Sequence, residues 1–145
     1  MTFEDFKKQL DKIHDYNQRY NVWFELSSSS EYLESPEAFQ RRATNKYIRA
    51  KKHEMKKQER LMLKTGYTNE DHIFQHTILD LILANCNYEH FPDFPILFFR
   101  YIEALEWDDI ALKFQYADRS TVEKYAQKGV KELYQIYIER SQNND

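Results

Sequence analysis

Two pairs of side chains have the spacing of metal ligands on a helix. His72 and His76 are four residues apart, and so are Cys86 and His90, which places each pair on one helical face. No HExxH motif occurs, and a single cysteine excludes a cysteine-based zinc site. Because His72 precedes a strongly apolar segment, a partly buried, hydrogen-bonded histidine is the simpler interpretation. We therefore predict no metal site and no cofactor.

Nucleophilic and acid–base chemistry also lacks a complete set of residues. The adjacent carboxylates Asp108 and Asp109 fall at a predicted helix start, where negative charge is favoured by the helix dipole. Cys86 has no base placed beside it by the sequence. The chain contains only two glycines, too few for a Rossmann or phosphate-binding loop. We predict that the protein is not an enzyme.

Charge is unevenly distributed along the 145 residues, although the formal net charge is only −3. Residues 36–65 carry 10 Lys or Arg against 3 Asp or Glu, whereas residues 66–110 carry 1 against 9. The basic segment fits phosphate contacts to DNA or docking on an acidic partner such as RNA polymerase. The alternative is a solvent-exposed helix without a partner. The candidate phosphate contacts are Arg41, Arg42, Lys46, Arg49, Lys52 and Lys56.

The segments that must position these residues contain mainly sequence motifs of helix starts. Thr2 is followed three residues later by Asp5, as in a capping box, and Ser35 precedes a proline that can open a helix of about thirty residues. Thr68 is a further cap. Residues 21–26 could form a strand or an irregular segment, and residues 27–30 a loop. We predict an all-α bundle of five or six helices, divided at residues 1–66 and 67–145.

No segment of the sequence has the length and apolar character of a membrane span, and the first residues lack the apolar core of a signal peptide. We therefore expect a cytoplasmic protein with no membrane partner.

The segment from about 103 to 134 has the pattern of a helix-turn-helix. Apolar residues share one face between Trp107 and Phe114, and again between Val122 and Leu133. A short polar turn ends at Asp118, which can cap the second helix. Two short amphipathic helices with an exposed polar start to the second one are typical of DNA-binding proteins.

This segment resembles the region of sigma factors that reads the promoter −35 element. It also resembles sigma-like late-transcription regulators of Gram-positive phages, of the ArpU and RinA type, in which an Arg-Tyr-Ile sequence precedes the motif. The resemblance covers Pro95 to about Tyr137. Its matching residues are Arg100-Tyr101-Ile102, Trp107-Asp108-Asp109-Ile110-Ala111, Asp118-Arg119-Ser120-Thr121-Val122, Lys128-Gly129-Val130 and Leu133.

The resemblance implies that the second helix enters the DNA major groove by its N-terminal half. Arginine or lysine can donate to guanine, glutamine can pair with adenine, and glutamate can accept from cytosine. Ser120, Thr121 and Lys131 are equally suited to phosphate contacts. The implied DNA-binding residues are Arg119, Ser120, Thr121, Glu123, Lys124, Gln127, Lys128 and Lys131.

Together these features predict a sequence-specific, sigma-like transcriptional regulator encoded by a phage or mobile element. Its expected partners are double-stranded DNA, RNA polymerase and a second copy of the chain. Residues 106–133 carry 5 basic and 6 acidic side chains, a weak charge for phosphate binding. One alternative is therefore a protein-interaction module, such as a phage-encoded inhibitor or an anti-sigma-like protein. Another is a phage DNA-packaging subunit.

Overall fold

The computed structural model describes residues 1–20, 35–43, 45–64 and 66–143, apart from the side chains of residues 20, 42, 45–47, 58–64 and 143. These ranges form seven α-helices and no strand, so the all-α prediction is confirmed. The predicted number of five or six helices is too low, because the segment from Pro36 to Lys64 forms two helices instead of one. A 3-10 turn, Tyr88–His90, precedes α5, and a π-helical turn, Phe98–Ile102, continues it. The helices are α1 (Phe3–Tyr20), α2 (Pro36–Arg42), α3 (Asn45–Lys64), α4 (Asn69–Ala84), α5 (Asp93–Leu97), α6 (Trp107–Lys113) and α7 (Arg119–Asn143).

The predicted helix starts are confirmed by their capping hydrogen bonds. Asp5 N donates to Thr2 Oγ1 at 3.1 Å, and Asp71 N donates to Thr68 Oγ1 at 3.1 Å. The Asp71 side chain in turn accepts a hydrogen bond from Thr68 N at 2.8 Å, which completes a capping box. The Ser35 side chain accepts a backbone N–H at 3.1 Å, with proline at the first helical position. These short-range patterns therefore determine where three helices begin.

The expectation of one long helix from Pro36 towards Gly66 is wrong. The structure has two helices, α2 and α3, and Ala43 between them has a ψ of 57°, outside the helical range. α2 buries Phe39 against the aromatic rings of the π turn, whereas α3 buries Met55 and packs against α4. We infer that the break lets the two segments pack on different parts of the core.

Among the described residues, the main apolar core takes side chains from most of the helices and from both sides of residue 66, and Tyr16 and Tyr67 form a small separate cluster. The centre of the main core is α5 and the π turn, where the side chains from Phe94 to Phe99 are almost all fully buried. α7 packs against α5 and α6, and α1 packs against the π turn. None of the described helices is long and apolar enough to cross a membrane. The predictions for residues 21–26 and 27–30 lie outside the described residues.

Hydrogen bonds fasten the second half of α1 to the segment that leads into α6. Asn17 Nδ2 donates to the Tyr101 carbonyl at 2.9 Å, and Gln18 Nε2 donates to the Glu106 carboxylate at 2.6 Å. At the other end of α1, the rings of Phe3 and Tyr134 lie 5.2 Å apart. α1 therefore runs antiparallel to the first half of α7.

Candidate nucleic-acid interface

α6 and α7 are joined by a five-residue turn whose backbone is fixed by hydrogen bonds. Tyr116 N donates to the Ala111 carbonyl at 2.9 Å, and Gln115 N donates to the Leu112 carbonyl at 3.1 Å. This pair of bonds is a Schellman motif, which requires a left-handed residue just after the helix. Gln115 occupies that position with a φ of 58°. The turn is therefore well defined, although its left-handed residue is not glycine.

We expect Gln115→Gly to raise the free energy of unfolding by about 1 kcal/mol, because glycine adopts left-handed φ without a steric penalty. Chemical denaturation of the variant and the parent measures this difference. Gln127→Gly is the matched control, since Gln127 is exposed inside α7. The free energy of unfolding of this variant should fall by about 1 kcal/mol. A loss of stability in Gln115→Gly as well would contradict the left-handed turn.

The predicted cap of α7 is present and occupies two of the proposed DNA contacts. Asp118 Oδ1 accepts from Thr121 N at 3.2 Å and from Ser120 Oγ at 2.6 Å. The Ser120 hydroxyl and the Thr121 amide hold the pKa of the Asp118 carboxyl below its usual value. In this arrangement the Ser120 hydroxyl points to the cap, so its role at the start of α7 is structural.

One face of α7 is exposed over its first four turns. Ser120, Lys124, Gln127 and Lys131 follow one another at steps of three and four residues, and all four are exposed. We call these four residues the exposed stripe. Neither Lys124 nor Lys131 forms an ion pair within the described part of the chain. Within the part of the chain that the structure describes, the stripe therefore presents two unpaired cations and an amide.

The remaining charged residues predicted on α7 are engaged within the protein. The Arg119 guanidinium donates to Glu123 Oε1 at 2.9 and 3.1 Å. Lys128 Nζ lies 3.5 Å from Asp93 and 3.7 Å from Glu132. Burial raises the pKa of the Asp93 carboxyl, and the Lys128 ammonium partly offsets this effect. Thus the structure brings all eight predicted residues onto the first half of α7, and the exposed side chains of Lys124, Gln127 and Lys131 make no hydrogen bond or ion pair with other described residues.

Gly129 lies at a close contact between α7 and α5. A β-carbon added there would stand 3.1 Å from Asp93 Cβ and 3.2 Å from Leu97 Cδ1. These distances are tighter than ordinary van der Waals contact. A glycine inside a helix lowers its stability by about 1 kcal/mol relative to alanine. The close contact with α5 explains why glycine occupies this position.

The basic helix α3 is partly anchored to the body of the protein. Lys52 Nζ lies 2.6 Å from Asp80 of α4. Lys51 Nζ lies 3.3 Å from Glu103 Oε1, and both side chains are buried. No sequence pattern indicates the burial of Lys51, because it lies in a strongly basic stretch that is typical of an exposed helix face. Of the other predicted phosphate contacts, Arg41, Arg49 and Lys56 are exposed, while the side chains of Arg42 and Lys46 lie outside the description.

Acidic side chains surround the start of α6 and α7. Glu106, Asp108 and Asp109 are exposed before or within the first turn of α6. Arg100 stacks on the Trp107 ring with its guanidinium carbon 4.2 Å from the ring centroid, and lies 3.8 Å from Glu106. This end of the interface is therefore near neutral or acidic, which disfavours phosphate binding there.

The structure brings no third possible metal ligand from the described residues to the histidine pair or to the cysteine–histidine pair. The rings of His72 and His76 lie 4.6 Å apart, but no group of three or more His, Cys, Asp or Glu within the described ranges could hold a metal ion. Cys86 is buried, and burial raises the pKa of its thiol to about 12. Its thiol is therefore protonated and unreactive near neutral pH.

No protein family, curated protein or solved structure shows significant similarity to this chain.

Proposed function

We propose that the protein binds double-stranded DNA sequence-specifically through the first half of α7. The observation that carries this proposal is the exposed stripe on a helix that follows a short helix and a fixed five-residue turn. Lys124 and Lys131 are free to contact guanine edges or phosphates, and Gln127 lies between them to read adenine. The sigma-like resemblance of residues 95–137 supports a role in transcription.

The geometry changes the relative weight of the predicted contacts. Lys124, Gln127 and Lys131 become the main candidates, since Arg119 and Lys128 are bound to carboxylates of the protein itself. The outward cations of the basic helix, Arg49 and Lys56, would add phosphate contacts on a long or bent duplex. Transcription activation would further require contact with RNA polymerase, and a homodimer would read two half-sites.

The test is a DNA-binding measurement on duplexes selected from a random pool. We expect Lys124→Gln with Lys131→Gln to weaken binding of the selected duplex by about 10-fold or more, and to reduce the salt slope by about 2. Fluorescence anisotropy at several salt concentrations measures both quantities. Lys8→Gln with Arg140→Gln is the matched control, because it removes the same charge from exposed positions outside the stripe. Equal losses of affinity in both double variants would mean that the binding is non-specific charge attraction.

A protein-interaction module is the second candidate function. The acidic residues around the start of α6 favour it, since they repel a DNA backbone but not a protein surface. If no duplex from the random pool is enriched, this candidate replaces the first.

A further inference from the structure

An open groove runs along α7 beside the exposed stripe. It lies between α1 and α7 and has a volume of about 500 Å³. Its floor is apolar and buried, formed by Tyr101, Ala126 and Val130, with Trp107 half-exposed at one end. One wall is the segment of α1 from Phe3 to Asp11, and the other is the segment of α7 from Glu123 to Lys131. Each segment is about 12 Å long.

The charges on the two rims are arranged in the same order along the groove. Because α1 and α7 are antiparallel, Lys131 lies at the same end of the groove as Phe3, and Asp11 and Glu123 lie at the other end. Lys7 lies halfway along its wall. Glu4 accompanies Lys7 at 3.2 Å, and Arg119 accompanies Glu123 at 2.9 Å. Lys131 has no ion pair among the described residues, so its end of the groove keeps a positive charge. At the other end the lining residues Asp11 and Glu123 are acidic, and the positive charges of Arg100 and Lys7 act on the Asp11 carboxylate.

The structure points to a helical partner: we propose that this groove binds an amphipathic α-helix of another protein, with acidic residues over Lys131 and basic residues over Asp11. An α-helix suits the site because its own backbone groups are satisfied and its ridge fits between two parallel walls. The groove is about two helical turns long, so it accepts apolar side chains from about two turns of such a helix. A second copy of the same groove does not fit, because two concave surfaces do not complement each other.

This partner would compete with DNA, because Gln127 and Lys131 belong to both the groove wall and the exposed stripe. Binding of the helix itself does not depend on the proposed DNA-binding function. The groove would thus give a partner protein a direct way to control access to the stripe.

The probe is a capped synthetic peptide of about 16 residues, long enough to be helical, with one apolar stripe, lysines at one end and glutamates at the other. In the Trp23→Phe background Trp107 is the only tryptophan, so its emission reports occupancy of the groove. A second peptide of the same composition, with the apolar residues spread around the helix, is the ligand control. We expect saturable binding of the first peptide and at least five-fold weaker binding of the second.

Two protein variants separate groove binding from general charge attraction. Lys7→Glu with Lys131→Glu should weaken peptide binding at least five-fold, and a peptide whose glutamates are replaced by lysines should recover it. Lys8→Glu with Arg140→Glu changes the same charge on the same two helices outside the groove lining and outside the exposed stripe, and should change binding less than two-fold. Circular dichroism confirms that each variant is folded.

Equal losses in the two protein variants, or no saturable binding at about 1 mM peptide, would overturn the groove proposal. DNA binding is measured separately on the same proteins. If the parent protein binds no DNA but does bind the peptide, only the proposed function fails. If it binds DNA but not the peptide, only the groove proposal fails.

Discussion

Lys51→Met is expected to lower the free energy of unfolding by about 3–5 kcal/mol, the usual cost of removing one partner of a buried ion pair. The Lys51 and Glu103 side chains are 3% and 0% exposed, and Nζ lies 3.3 Å from Oε1. Methionine keeps the length of the lysine stem but removes the ammonium. The Glu103 carboxylate would then lose the cation that compensates its burial. Urea denaturation of both proteins measures the difference.

Two further variants test whether this loss of stability comes specifically from the buried pair. Lys57→Met removes a lysine from an exposed pair on the same helix, where Nζ lies 3.6 Å from Glu54, and should cost less than about 1 kcal/mol. The double variant Lys51→Met with Glu103→Leu should recover much of the lost stability, because no buried charge remains. Parental stability in the single variant Lys51→Met would mean that the ammonium does not compensate Glu103.

The buried pair also limits what the basic helix can contribute to DNA binding. Glu103 lies at the end of the π turn, three residues before the cap of α6, so Lys51 ties α3 to the segment that leads into the interface. Lys51 itself is buried and cannot reach a phosphate. Among the described side chains of α3, Arg49, Lys56 and Lys57 are exposed cations, and Lys57 is paired with Glu54. The basic helix is therefore both a structural brace and a limited cationic surface.

Local features of the fold were predictable from the sequence. The caps at Thr2, Ser35, Thr68 and Asp118 depend on residues within three positions of one another, so their spacing alone identifies them. The two amphipathic helices around the turn follow from periodicity, since each needs only one apolar face. The same periodicity places Lys124 on the exposed side of α7.

Features that depend on packing between distant segments were not predictable. The break at Ala43 arises because α2 and α3 pack on different parts of the core, and no glycine or proline marks it. The burial of Lys51 depends on Glu103, fifty-two positions away. The groove requires α1 to lie beside α7, and nothing in the first twenty residues indicates that neighbour. Its candidate residues Lys7 and Asp11 were therefore missed.

Gly129→Val should lower the free energy of unfolding by about 1–3 kcal/mol, the range for overpacking a tight contact. The glycine faces Asp93 Cβ at 3.1 Å and Leu97 Cδ1 at 3.2 Å from an added β-carbon. Asp93 Cβ is attached directly to the backbone of α5, so it can move only with that helix. Valine has the higher helix propensity, and any loss of stability must therefore come from the contact.

Lys131→Val is the matched control, since Lys131 lies on the exposed side of the same helix, two residues away. The free energy of unfolding of the Lys131→Val variant should change by no more than about 0.5 kcal/mol. Thermal or urea denaturation of both variants gives the comparison. A Gly129→Val protein as stable as the control would show that α7 does not cross α5 this closely. That result would also weaken the exposed stripe as a binding surface, because the crossing fixes which face of α7 points outward.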